Sequence, residues 1–105
     1  MTGPGKLIRD RVPELLRGAG STANIRRLSV DERLPALLGK LREEADELRN
    51  AADLAEQAEE LADVYEVLLA IAAHLGLPWT EIDRLAAAKR VERGGFSQGL
   101  WLSMP

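Results

Sequence analysis

Residues 40–76 read KLREEADELRNAADLAEQAEELADVYEVLLAIAAHLG, and two acidic signatures within them decide the fold: EEADE at Glu43 to Glu47 and ELAD at Glu60 to Asp63. Glu43 and Glu47 are four apart, Glu44 and Glu47 three apart, and Glu60 and Asp63 three apart, so each set shares one face of a helix. Like charges at that spacing destabilise a bare helix, and a solvated stabilising face would more usually set Glu against Lys or Arg. No cation is interleaved here. Glu44, Glu47, Glu60 and Asp63 would supply four oxygen ligands to a hard cation, Mg²⁺ first and Mn²⁺ as a substitute. In an antiparallel hairpin, residues equidistant from the turn lie at one level, and the midpoint between the two pairs falls at Asp53 to Leu54. With a turn near Asn50 to Ala55, the pairs meet across a gap of roughly 8–10 Å between helix axes.

Outward from the hairpin, Leu34, Leu37, Leu38, Leu41, Ala45 and Leu48 follow a 3.6-residue stripe. Ser29 resembles a cap, with Glu32 three residues on, but Pro35 either kinks the helix or moves its start to about Leu34. The second long helix carries Leu54, Ala58, Leu61, Ala62, Tyr65, Leu68, Leu69, Ala72 and Leu75, with Gly76 suited to a left-handed end and Pro78 beyond. Its later part is apolar over most of its circumference, which predicts burial on more than one side and pairing with another copy of the chain. Tyr65 and Leu68 are expected in the core. A further helix is predicted from Thr80, with Asp83 as its capping partner, to about Val91, and a short one from Val12 to Arg17 with Pro13 in its first turn. Leu100, Trp101 and Leu102 form an apolar tail expected to dock on the bundle or on a partner.

The fold class is therefore all-α: a helical hairpin plus further helices, forming a four-helix-bundle-like core completed by oligomerisation. One domain over residues 1–105 is expected, with 46% hydrophobic residues but few aromatics, so Ala and Leu carry the packing. A formal charge of −3 and a pI near 5.2 argue against a nucleic-acid partner. With no apolar run long enough to span a bilayer, no export signal and no cysteine, the expectation is a cytoplasmic protein without disulfides or thiolate metal sites.

These residues together resemble the MazG-like, all-α nucleoside triphosphate pyrophosphohydrolases, in the short single-domain branch. The resemblance rests on EExxE at Glu43 to Glu47 followed by ExxD at Glu60 to Asp63, joined by KLIRDRVPELL at Lys6 to Leu16, KLREE at Lys40 to Glu44 and KRVERGGF at Lys89 to Phe96. It implies hydrolysis of a nucleoside triphosphate between its α- and β-phosphates, giving a monophosphate and pyrophosphate in a nucleotide-pool house-cleaning role. It also implies magnesium ligation by Glu44, Glu47, Glu60 and Asp63, with Glu43 orienting or deprotonating the attacking water. Lys89 and Arg93 match basic positions that would hold the β- and γ-phosphates, with Lys40 facing the same way as the acids. Lys6, Arg9 and Asp10 match a motif open to either substrate contact or a salt-bridge network. Gly94 and Gly95 permit a sharp turn after the last helix, which serves as a helix stop or aims amides at phosphate.

Other residues fall outside the chemistry. His74 stands alone near the end of an apolar helix, where packing or solvent contact is the expectation, and Trp79 is open to a role as a base-stacking platform. The alternative functions are a phosphoribosyl-ATP pyrophosphohydrolase-like enzyme of the same fold, against which KLIRDRVPELL argues, and a non-catalytic helical dimerisation or regulatory module. A di-iron carboxylate bundle fits poorly, because His74 belongs to no Glu-x-x-His pair.

Overall fold

Ser29 stops the preceding chain in an extended conformation and starts the first long helix at Val30. Its backbone N–H donates to Glu32 Oε1 at 3.0 Å and its hydroxyl donates to the same oxygen at 3.1 Å, while Arg26 forks onto both Glu32 oxygens at 3.1 and 2.9 Å. The computed structural model describes residues 5–105 and contains four helices and no strand among them: α1 (Val12–Gly18), α2 (Val30–Asn50), α3 (Leu54–His74) and α4 (Trp79–Arg93). The all-helical architecture read from the periodicity is the one observed.

The boundaries correct several expectations. Helix α2 starts at Val30 and runs through Pro35, so its start is not displaced toward Leu34. Pro35 is the sixth helical residue, where its missing N–H deprives only the Asp31 carbonyl, and Asp31 and Pro35 are both exposed to water. The turn is Ala51 to Asp53, inside the expected span. Asp53 caps α3 by accepting from the Glu56 N–H at 2.9 Å, and Glu56 reaches back to accept from the Ala52 N–H at 2.9 Å. Helix α4 starts at Trp79 rather than Thr80, with Pro78 as its flanking residue, and no Thr80–Asp83 cap forms because both lie inside the helix. The Pro78 carbonyl instead accepts from the Glu81 and Ile82 N–H groups.

Gly76 ends α3 as the sequence suggests. Its φ of 72° lets the Gly76 N–H reach the Ala73 carbonyl and the Leu77 N–H reach the Ala72 carbonyl, at 3.1 and 2.9 Å, closing a Schellman motif. Helix α2 packs along α3, and α4 packs on α3 at a bend of 110°, where Trp79 sets its ring edge-on to Tyr65 with centroids 5.7 Å apart. Trp79 is half-buried in that contact, which gives it a structural role in joining the two helices. No single helix among the described residues is long and apolar enough to cross a membrane.

The core is thin. Among the described residues, only Val67 and Ala72 are buried hydrophobic side chains. Tyr65 and Leu68, expected inside, are exposed on α3, and Leu100, Trp101 and Leu102 do not dock on the bundle of their own chain. α2 packs on one side of α3, and on another side Trp79 of α4 meets Tyr65 without burying it, so Leu61, Tyr65 and Leu68 stay exposed. The chain exposes 9135 Å², whereas a self-contained monomer of this mass exposes roughly 5800 Å². Its radius of gyration is 17.4 Å, against roughly 13 Å for a compact domain of this length.

Two glycines test the backbone reading. A Cβ at Gly39, inside α2, meets nothing within 4 Å, so Gly39→Ala is expected to stabilise by about 0.5–1 kcal/mol. Gly76→Ala meets no atom either but must hold a left-handed φ, and is expected to destabilise by about 1–2 kcal/mol. Thermal melts of the two variants should therefore move in opposite directions; equal shifts would contradict the cap assignment.

Candidate active site

The caps and the three-residue turn fix the register of α2 against α3, and that register brings the acids together. One oxygen from each of Glu44, Glu60 and Asp63 lies within 4.8 Å of the others, and the same holds for Glu43, Glu44 and Glu47. Glu44 belongs to both groups and is the hinge of the cluster. It is also the one charged side chain buried among the described residues, at 5% exposure. All five acids singled out by spacing, Glu43, Glu44, Glu47, Glu60 and Asp63, thus fall in one place.

Such crowding must be offset, and the structure shows how. Lys40 Nζ lies 3.3 Å from Glu44 and 3.5 Å from Glu43, one turn earlier on the same face of α2. Arg9 reaches across from the N-terminal segment to Asp63 Oδ1 at 2.6 Å. The third offset is a proton. Burial, followed by the neighbouring Glu47, Asp63 and Glu44 carboxylates, pushes Glu60 up from 4.5 to about 7. Glu44 is raised in the same direction, by burial first, with Lys40 opposing and Glu47 adding to it.

Two oxygens remain without a partner: Glu44 Oε2 and Glu60 Oε2 are both shut off from solvent and accept no hydrogen bond. Buried polar atoms of native proteins are nearly always satisfied, so these orphans are where a cation fits. The donors are all carboxylate oxygens, a set that suits Mg²⁺ or Mn²⁺ rather than a soft metal. Glu44, Glu60 and Asp63 would hold the ion, with Glu47 at the rim.

The remaining expected contacts are more dispersed. Arg9 is at the cluster, as an ion-pair partner of Asp63; Lys6 is exposed and pairs with no carboxylate among the described residues. Lys89 and Arg93 are exposed in the last turns of α4 and make no ion pair with the acids of their own chain among the described residues. His74 is half-buried and belongs to neither carboxylate group. The Arg9–Asp63 pairing joins residues 54 apart, and its only sequence signal was the basic KLIRDR segment itself.

The model of the phosphoribosyl-ATP pyrophosphohydrolase family matches residues 6–90, which include the whole acid cluster, Arg9 and Lys40. The family lies in the same all-helical pyrophosphohydrolase superfamily as the MazG-like enzymes that the sequence resembles. A protein of Mycolicibacterium smegmatis described only as uncharacterized is 55% identical over 53 residues, which make up 50% of this chain and 53% of that protein. The match thus spans about half the length of that relative. No solved structure matches.

The cluster makes a prediction about pH. A glutamate whose folded pKa is raised keeps its proton in the folded chain after the unfolded chain has released it, so stability falls as pH rises between the two values. For Glu60 that window runs from 4.5 to about 7. Glu32, held down to about 2 by Arg26 and Ser29, acts oppositely and only at lower pH, its stabilisation being lost as pH falls below 4.5. The melting temperature in chelator is therefore expected to fall between pH 5 and pH 7, and added Mg²⁺ should restore it more at pH 7.5 than at pH 5. A chelator-treated melting temperature that stays flat across that range would contradict the crowding of these acids.

Proposed function

Because the chain belongs to the phosphoribosyl-ATP pyrophosphohydrolase family and is thereby an all-helical pyrophosphohydrolase, we propose that it is a metal-dependent enzyme that cleaves the α–β anhydride of nucleoside triphosphates to a monophosphate and pyrophosphate, in nucleotide-pool house-cleaning. The observation that carries the reading is the pair of solvent-inaccessible, partnerless oxygens on Glu44 and Glu60, set beside Asp63. A non-catalytic helical module has no use for that arrangement. Solvated acids would spread apart, whereas these are driven together with Glu44 buried.

The residues divide the work. Glu44, Glu60 and Asp63 bind the metal, which when present neutralises phosphate charge and makes water more acidic. Glu43 stays half-exposed at the edge of the cluster, tied to Lys40 at 3.5 Å, and is the base that orients the attacking water and takes its proton. Water oxygen bonds to phosphorus, the bridging oxygen leaves with pyrophosphate, and no side-chain nucleophile is needed. Lys40 balances Glu43 and Glu44 and then faces the incoming phosphates. Arg9 is free to exchange Asp63 for a phosphate oxygen, since its guanidinium is mostly exposed and can clamp two oxygens. Lys89 and Arg93 would serve the β- and γ-phosphates.

A second reading, phosphoribosyl-ATP as the substrate, fits the family model about as well. That compound carries the same triphosphate, so the metal chemistry is unchanged and only the pocket around the base and its second ribose differs. Pyrophosphate release measured side by side on nucleoside triphosphates, deoxynucleoside triphosphates and phosphoribosyl-ATP separates the two. Turnover of the simple triphosphates is expected; turnover of phosphoribosyl-ATP alone transfers the chain to the second reading.

Two variants separate the roles. Glu43→Gln is expected to lower kcat about 10²–10⁴-fold, the usual contribution of a general base, while Mn²⁺ binding persists. Glu60→Gln is expected to lose both turnover and Mn²⁺ binding with an unchanged helical circular-dichroism spectrum. If Glu60→Gln releases pyrophosphate at the wild-type rate, the ligand assignment is wrong.

A further inference from the structure

The segment before α2 is held differently from the rest of the chain. Helix α2 packs along α3 and α4 packs on α3, but among the described residues no Cα of α1 lies within 8 Å of a Cα in another helix. Helix α1 buries no residue, Leu15 on it is 70% exposed, and Leu7, Ile8, Val12 and Leu16 are only half-buried. Residues 21–29 then run to α2 with neither helix nor strand, and Gly20 holds a left-handed φ of 80° where they begin. The backbone bonds here stay within the segment, as where the Ser21 N–H donates to the Leu16 carbonyl at 2.9 Å. Among the described residues, one polar contact ties residues 5–25 to the hairpin, the Arg9 guanidinium on Asp63 Oδ1 at 2.6 Å. A segment with so few buried apolar contacts opens locally at low cost, so its position depends on that one pair.

Asp63 is contested. Its carboxylate offers an oxygen within 4.8 Å of oxygens from Glu44 and Glu60 and so belongs to the metal triad, while the guanidinium on the same carboxylate keeps its charge at any pH the fold survives. A guanidinium and a divalent cation on one carboxylate repel each other, so each weakens the other's hold. The stretch released with Arg9 is KLIRDR, Lys6 to Arg11, with three cations and one acid. Arg11 is tied to Glu14 at 3.5 Å, which leaves Lys6 and Arg9, three residues apart, to answer an anion. A triphosphate on the metal is the anion that returns such a stretch to the site.

Resting on the metal site proposed above, we infer that residues 5–18 are a strap over that site, latched by Arg9 on Asp63, unlatched by the divalent cation and drawn back by the metal-bound triphosphate. The latch is autoinhibitory, because it holds one metal ligand until a cation displaces it. The strap thereby orders the binding events, with the cation first and the triphosphate second. Coupling between two binding events is reciprocal: the factor by which the cation loosens the strap is the factor by which loss of the latch tightens the cation.

The chain has no cysteine, so Leu15→Cys carries a single nitroxide on α1. The label is expected to be slow in chelator, faster with Mg²⁺ alone, and slow again with Mg²⁺ and a non-hydrolysable α,β-methylene analogue of a nucleoside triphosphate. Arg9→Gln in the labelled chain is expected to give the fast spectrum in chelator. The same substitution is expected to tighten Mn²⁺ binding by about 2–5-fold, the scale of an exposed ion pair, and to raise KM for the triphosphate. An Arg9 that only supports the fold predicts no gain in Mn²⁺ affinity. If Mn²⁺ binds but the label ignores Mg²⁺, or if Arg9→Gln keeps its helical circular dichroism and binds Mn²⁺ no more tightly, the strap is overturned and the metal site stands. If neither chain binds Mn²⁺, the metal site falls and the strap with it.

Discussion

Mutual repulsion among carboxylates is the constraint on which this molecule is built. At a 4 Å separation, two like charges in a partly screened site oppose each other by about 4 kcal/mol, and α2 and α3 bring Glu44, Glu60 and Asp63 within 4.8 Å. The chain meets that repulsion with three separate positive charges: the Lys40 ammonium at Glu44, the Arg9 guanidinium at Asp63, and a proton on Glu60, whose pKa is pushed up to about 7. A divalent cation would stand in for two of these three charges and satisfy the two orphaned oxygens as well. Under the proposed function, that exchange would release Lys40 and Arg9 from neutralising acids and leave them for a polyphosphate.

Holding the acids at that distance requires a hairpin whose register cannot slip. The register is set at the ends of the helices, by the Ser29–Glu32–Arg26 network, by the reciprocal Asp53–Glu56 cap and by the Schellman closure at Gly76. The interior contributes little, with Val67 and Ala72 as its buried apolar members among the described residues. Helix α3 therefore serves two environments at once, with acids and Val67 toward α2 and Leu61, Tyr65 and Leu68 away from it. The side of α3 that carries Leu61, Tyr65 and Leu68 stays exposed.

The parts of this account that were legible in the sequence are those with a local period or a local cap. Acid spacing at three and four residues put Glu43, Glu44, Glu47, Glu60 and Asp63 in one cluster, and the midpoint argument located the turn. Gly76 and Ser29 were readable because helix ends have side-chain signatures. Pro35 misled, because its cost depends on whether the orphaned Asp31 carbonyl faces water, which propensity does not report. The start of α4 at Trp79 was missed because Thr80 and Asp83 imitate a cap. Burial of Glu44 and the reach of Arg9 to Asp63 are tertiary facts with no period to betray them. The exposure of Tyr65 and Leu68 went against expectation, since an apolar arc shows that a surface wants covering without showing what covers it.

The central claim is that the orphaned oxygens of Glu44 and Glu60, with Asp63, are one half of a divalent metal site. Crystals grown with Mn²⁺ and measured at an anomalous wavelength test it directly. The account predicts an anomalous peak between α2 and α3 within coordination distance of Glu44, Glu60 and Asp63, with Arg9 drawn off Asp63. A structure at saturating Mn²⁺ with no peak there, and with the Arg9–Asp63 pair intact, would contradict it.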